Sequence, residues 1–174
     1  MYYPKIFILS VVSMLLFNKT ESQTLPVVAS VDLKKYSGTW FEIASFPQRF
    51  QKGCTCTTAK YTLTDKGYVI VENSCYKPES GKQAYIKGKA FPDKNGNNAK
   101  LKVQFFWPIR AKYWIIDLAP DYSYAVVGHP KRNYLWILSR TPVMDDKTYD
   151  QITAKITSLG FDPLKLNRTE QNCD

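Results

Sequence analysis

From Trp40 onward the chain alternates apolar and polar residues with a period of two, in short runs separated by turn residues, and nothing else in it constrains the fold as tightly. In "AKLKVQFFW" the residues Leu101, Val103, Phe105 and Trp107 share one face while Lys100, Lys102 and Gln104 share the other. "TTAKYTL" groups Thr57, Ala59, Tyr61 and Leu63, and "QAYIKGKAF" groups Ala84, Ile86, Gly88 and Ala90. "YVIVENS", "KYWIIDL", "YAVVG" and "NYLWILSR" read as further strands, divided by "TDKG", "YKPESGK", "PDKNGNN", "APDYS" and "HPKR". With the strand at Trp40 they number eight. Eight short antiparallel strands, each with one apolar face, close economically into an up-and-down barrel, which has no exposed edge and has room inside for one small ligand. A two-sheet sandwich also satisfies the strand count. The expected class is all-β, an eight-stranded antiparallel barrel.

One helix stands outside this pattern. Asp145 or Asp146 is placed to cap "DKTYDQITAKITSL", where Tyr149, Ile152, Ile156 and Leu159 recur at helical spacing and Gly160 supplies the stop. Its one apolar stripe predicts that it packs on the outside of the sheet.

"MYYPKIFILSVVSMLLF" has a basic start at Lys5, an uncharged run from Ile6 to Phe17 too short to span a bilayer, and a polar exit, so residues 1–23 are expected to be a secretory signal peptide and 24–174 a single domain. The leader predicts an exported product, periplasmic or secreted and soluble, and because no cysteine precedes Cys54 it is expected not to be lipid-anchored. The roughly 150 remaining residues suffice for one domain that buries about 70% of its unfolded surface. The chain carries 24 Lys and Arg against 15 Asp and Glu, and the leader holds only Lys5, Lys19 and Glu21 of these, so the exported part stays basic and favours anionic partners.

Export makes disulfides the default for Cys54, Cys56, Cys75 and Cys173. A Cys-x-Cys pair with no nearby histidine lacks zinc-ligand spacing, so no metal is expected, and no cofactor. A Cys54–Cys56 bridge is geometrically poor. Spacing does not separate the other two connectivities.

Three segments together resemble the lipocalins, and within them the bacterial, plant and apolipoprotein D-like group. "SGTWFEIASFPQRF" is similar to that group's first signature, "DYSYAVVG" occupies the second, and "NYLWILSRTP" is a close match to the third, with "FFWP", "KGKA" and "LGFDP" in support. "GCTC", Cys75 and the terminal "NCD" resemble the plastid branch. The resemblance implies Cys54–Cys75 and Cys56–Cys173 disulfides. It also implies that Trp40 plugs the closed end with Arg140 stacked across its indole, and that the barrel carries a small apolar molecule such as a fatty acid or lysophospholipid in membrane lipid maintenance.

Alternate loops then lie at the mouth: Ala44 to Cys56, Tyr76 to Lys82, Trp107 to Lys112, and His129 to Asn133. They hold Arg49, Lys52, Lys77, Lys82, Arg110, Lys112, Lys131 and Arg132 against the single acid Glu79, a polarity that concentrates an anionic amphiphile at the entrance. The expected wall is uncharged: Ala59, Tyr61, Leu63, Val69, Val71, Ala84, Ile86, Ala90, Leu101, Val103, Phe105, Trp107, Trp136 and Leu138. Small residues against large aromatics suit an acyl chain. Arg110 and Lys112 are expected to hold its carboxylate or phosphate, and Phe46 and Phe50 to close over it or touch a bilayer while Arg49 and Lys52 meet lipid phosphates.

Other classes are less well supplied. No catalytic residue is expected and the chain is read as a non-enzyme, because His129 is a lone loop histidine and Glu42 and Glu72 are isolated carboxylates. A pigment carrier for bilin or haem, or a lipid-directed enzyme of the lipocalin type, is the alternative. Export argues against nucleic acid.

Overall fold

The computed structural model describes residues 24–93 and 97–172, so the expected leader and Cys173 lie outside the described residues. The elements in order are α1 (Leu33–Tyr36), β1 (Gly38–Ser45), β2 (Thr55–Leu63), β3 (Val69–Lys77), β4 (Lys82–Pro92), β5 (Lys100–Gln104), β6 (Ala111–Leu118), β7 (Tyr124–Gly128), β8 (Leu135–Ser139), α2 (Asp146–Ser158) and β9 (Asn167–Arg168). Strands β2 to β8 each pair antiparallel with the next, and β1 pairs with β8 on one edge and β2 on the other, which closes the barrel and excludes the sandwich.

The closure runs through a splayed seam. Gly38 to Phe41 pair with Tyr61 to Thr58 of β2, but the β8 pairing shifts register between Glu42 and Ala44, and above that point β1 parts from β2. A bulge bends its strand and strengthens the local twist. The exposed edge is taken by β9, which sets Arg168 opposite Ala44 and Asn167 opposite Ser45. The following residues stitch the gap: Thr169 N–H donates to Ile43 O (2.9 Å), Cys56 N–H to Glu170 O (2.7 Å), and the Gln171 side chain donates to both Glu42 O (2.8 Å) and Thr57 O (2.9 Å). Cys54 is bonded to Cys75, tying the start of β2 to β3. The second expected bridge, Cys56–Cys173, falls on a residue outside those described.

Alternation sorts the apolar side chains into two cores. The inward set, including Trp40, Val69, Val71, Ala90, Leu101, Ile115, Ala125 and Val127, fills the lower barrel. The outward set of Ile43, Ile116, Val126, Leu135 and Ile137 packs under α2 against Ile152, Ile156 and Phe161. Each fully buried aliphatic side chain there contributes about 1.5–3 kcal/mol of transfer free energy. The helix is held in register at its start by Asp145, whose carboxylate accepts from Thr148 N–H at 2.9 Å, and along its length by the Lys155 ammonium on the buried Asp117 carboxylate.

Candidate functional site: barrel interior and mouth

The floor is built from α1 and the start of β1. Trp40 is fully buried, donates its indole N–H to Tyr36 O at 2.8 Å, and lies under Arg140, whose guanidinium carbon is 3.7 Å from the ring centroid. The guanidinium also donates to Lys35 O (2.7 Å), Ser37 O (3.1 Å), Thr39 O (2.9 Å) and Tyr122 O (3.3 Å), fastening α1 beneath the barrel. Gly38 has φ +103°, and a Cβ there would stand 3.2 Å from Arg140 Nη1, so the residue between α1 and Trp40 suits glycine.

Above Trp40 three phenols meet. The hydroxyls of Tyr36 and Tyr61 each lie 2.8 Å from that of Tyr113. Burial raises all three, Tyr61 to about 12, so they are neutral hydrogen-bonding groups in the physiological range. Tyr36 and Tyr113 were missing from the sequence-derived wall. Tyr113 was legible, since carrying the alternation back from Ile115 brings it inward, whereas Tyr36 precedes the first strand and only the path of α1 brings it here.

The upper interior differs from the lower. On β4 the inward residues Ala84 and Ile86 are half-buried whereas Gly88 and Ala90 are buried; just past the end of β5 Phe105 is half-buried above buried Val103 and Leu101; on β6 Tyr113 stands above buried Ile115; on β8 Trp136 stands above buried Leu138. Along these four strands the inward side chains nearer the mouth are therefore more exposed than those below them, which makes the upper interior the more accessible part. At Gly88 a Cβ would fall 2.7 Å from Phe105 Cδ1 and 2.6 Å from Gln104 O, so the absence of a side chain there makes room for the Phe105 ring against β4. Two depressions on the outer surface, about 140 Å³ beside Ile43, Met144 and Arg168 and about 250 Å³ beside Lys100, Lys102, Lys112 and Trp114, adjoin no inward residue of this chamber other than Leu101 at its base.

The chamber wall is not free of charge, contrary to the expectation. Glu42 shares the inward face with Trp40 and is only 5% exposed. Its carboxylate accepts from Ser45 Oγ (3.0 Å), Thr169 Oγ1 (2.7 Å) and Gln51 Nε2 (2.8 Å), so strand, tail and first mouth loop converge on one buried group. Gln51 in turn accepts from the Trp136 indole at 3.4 Å. The same two-residue step from Trp40 that defines the wall would have found Glu42.

The remaining expected site residues divide into wall and surface. Tyr61, Val71, Val103 and Leu138 are buried in the interior core, Phe105 and Trp136 pack against it, and Ile86 sits opposite Asn73 in the β3–β4 register. Trp107 is not on the wall: β5 ends at Gln104, the alternation stops, and the ring is 86% exposed in the loop with exposed Phe106 and Ile109. Arg110 and Lys112 also face outward. Arg110 stacks 4.5 Å from the ring centroid of Phe91, which neighbours inward Ala90, and the Lys112 ammonium lies 5.7 Å from that of Trp114, so aromatic rings on the outer face hold both cations. Arg132 donates to Leu159 O at 2.6 Å, at the end of α2. Arg49, Lys52, Lys82 and Lys131 are exposed on the rim. Of the two loop phenylalanines, Phe50 is exposed, but Phe46 is only 3% exposed and meets Phe161 edge-on beneath α2, because the register shift in β1 turns it to the helix side. His129 accepts Lys131 N–H at Nδ1 (3.2 Å) and packs edge-on against Tyr134, so its ring shapes its own turn.

A closed antiparallel barrel, sealed at one end by a Trp–Arg stack, accessible at the other and flanked by one helix, defines the calyx class of small-molecule binding proteins. The chain belongs to the lipocalin family, whose members bind small hydrophobic ligands: a lipocalin-like domain matches residues 31–171. It is 41% identical over 162 residues to temperature-induced lipocalin-1 of Arabidopsis thaliana, covering 88% of this chain and 86% of that protein. It is also 41% identical over 152 residues to the outer membrane lipoprotein Blc of Escherichia coli, covering 87% and 86%. Among solved structures, insecticyanin of the tobacco hornworm Manduca sexta superposes with a TM-score of 0.67 at 24% identity over 84% of each chain, a likeness of fold.

Proposed function

We propose that the protein is exported and binds a small anionic amphiphile, a fatty acid or lysophospholipid, with its chain in the upper chamber and its head at the cationic rim. The observation that carries this reading is the exposure gradient along the inward faces of β4, β5, β6 and β8. Tyr61, Val71, Ile86, Val103, Phe105, Trp136 and Leu138 supply the apolar contacts. Each methylene withdrawn from water contributes about 0.8 kcal/mol, enough over a long chain for micromolar binding after the costs of association. Arg49, Lys52, Lys82 and Lys131 supply an attracting field at the entrance; Arg110 and Lys112 add to that field from the outer face rather than gripping the head.

Exposed Phe106, Trp107 and Ile109 in one mouth loop and exposed Phe50 in another give the rim apolar surface beside its exposed cations. That combination suits shallow insertion into an anionic membrane surface, from which such an amphiphile would be collected or to which it would be returned. Binding rather than catalysis is favoured because His129 is engaged in its own turn and the Glu42 carboxylate is engaged by three side-chain donors.

Native mass spectrometry of the purified protein, with extraction of whatever co-purifies, tests the reading. A retained lipid, together with saturable quenching of Trp136 by oleic acid, is the expected result. A protein that retains nothing and shows no saturable response to oleic acid or to a lysophospholipid would sink it.

A further inference from the structure

Two buried polar atoms in the chamber have no partner. Thr57 is 6% exposed and its Oγ1 is enclosed without a hydrogen bond, and the same holds for Oδ1 of Asn73 on the neighbouring strand. Both lie on the inward face. Thr58 and Ser74, the residues beside them, bond hydroxyl to hydroxyl at 2.8 Å on the outer face, and Asn73 sits opposite Ala59 and Ile86. Thr57 lies two positions before Ala59 on β2, in the register irregularity between Thr55 and Thr58, so it and Asn73 belong to the same stretch of the β2–β3 wall. A buried polar atom left unpaired costs about 1–3 kcal/mol, which makes such a pair in a ligand chamber informative.

The chamber floor points the same way. The three hydroxyls of Tyr36, Tyr113 and Tyr61 form two contacts and possess three protons, so one O–H remains to donate upward or sideways. A plain alkyl chain would satisfy neither the wall nor the floor. A second carboxylate would also be unwelcome beside them: Glu42 is the neighbour of Thr57 across the seam, where the Gln171 amide bonds the backbone oxygens of both.

We propose that Thr57 and Asn73 form a polar subsite for a neutral oxygen function carried part-way along the ligand's chain, so that the preferred ligand is an oxygenated acyl chain bearing a hydroxyl group. The inference rests on the reading that the chamber takes an acyl amphiphile. The Thr57 hydroxyl offers a donor and an acceptor and Asn73 Oδ1 an acceptor, without charge, the complement of a hydroxyl group.

Ricinoleic and oleic acids differ by one mid-chain hydroxyl and provide the test. The wild-type protein is expected to bind ricinoleic acid about three- to ten-fold more tightly, the range of one net hydrogen bond. Thr57→Val and Asn73→Leu should each bring that ratio toward one while leaving the affinity for oleic acid equal or improved, and Thr57→Ser should retain it. Ligand-free melting temperatures of the two apolar variants should be unchanged or higher, since each replaces an unpaired polar group. Equal affinities in the wild type, a ratio that persists in both apolar variants, or a marked loss of stability in them, the sign of an internal water already bonded there, overturns the subsite while oleic acid binding still supports the acyl-chain reading. Failure of both acids to bind overturns both.

Discussion

Arg140 shows what side-chain geometry adds to charge. A lysine there would keep the cation over Trp40 but has no planar fork to donate to carbonyls of α1, Thr39 and Tyr122 at once. Arg140→Lys is therefore expected to destabilise by about 1–3 kcal/mol in chemical denaturation, and Trp40→Ala by about 3–5 kcal/mol; a neutral Arg140→Lys would show that the carbonyl contacts contribute nothing. His129 makes a pH prediction. Burial, and then the charges of Lys112 and Lys131, lower its imidazole below 6.5, with only the Asn133 hydrogen bond acting the other way. The unfolded chain then takes up this proton at a higher pH than the folded one, so stability falls as pH drops from 6.5 toward the lowered value. His129→Gln should flatten that part of the profile, measured as denaturation midpoints at neutral and mildly acidic pH.

At the scale of elements, the hairpin of β2 and β3 forms the wall that bears Thr57 and Asn73, and the Cys54–Cys75 bond ties its open end. Closing a loop of this size restricts the unfolded chain by about 3 kcal/mol. A Cys54→Ser, Cys75→Ser variant should lose a large part of that in denaturation, and the loss should match what a reductant does to this bond. The alternation of β2 to β8 made these strands legible one by one, because a half-buried strand records its two faces in its own residues. The seam was not legible. The parting of β1 from β2, the insertion of β9 and the bridging by Gln171 depend on a tail more than a hundred positions away, and "NRTEQN" carries no periodic signal.

At the scale of the whole molecule, the exposed side chains of Phe106, Trp107 and Ile109 and the cations around the mouth act together or not at all. The protein should sediment with anionic phosphatidylserine-containing vesicles more than with neutral phosphatidylcholine ones, and salt should weaken the association as the Debye length shortens. Phe106→Ser with Trp107→Ser should reduce vesicle binding several-fold without altering oleic acid affinity. Retained vesicle binding in that variant would assign the contact to charge alone. Sequence and structure part company over this loop. Alternation carried Trp107 inward, but period two holds only while the backbone stays extended, and after Gln104 it does not.

The residues by themselves determined the eight strands, the single outer helix and most of the apolar wall, because each depends on a local pattern that one strand or helix carries whole. Closure into a barrel and the Trp40 floor were implied by the family resemblance, and the pairing of β1 with both β8 and β2 decided the closure. Only the tertiary structure decided which way Arg110, Lys112 and Phe46 turn, that Glu42 is buried at a junction of three segments, and that Thr57 and Asn73 face a shared interior unpaired. Those outcomes depend on what lies across the barrel from each side chain, and a linear pattern contains no record of its opposite wall.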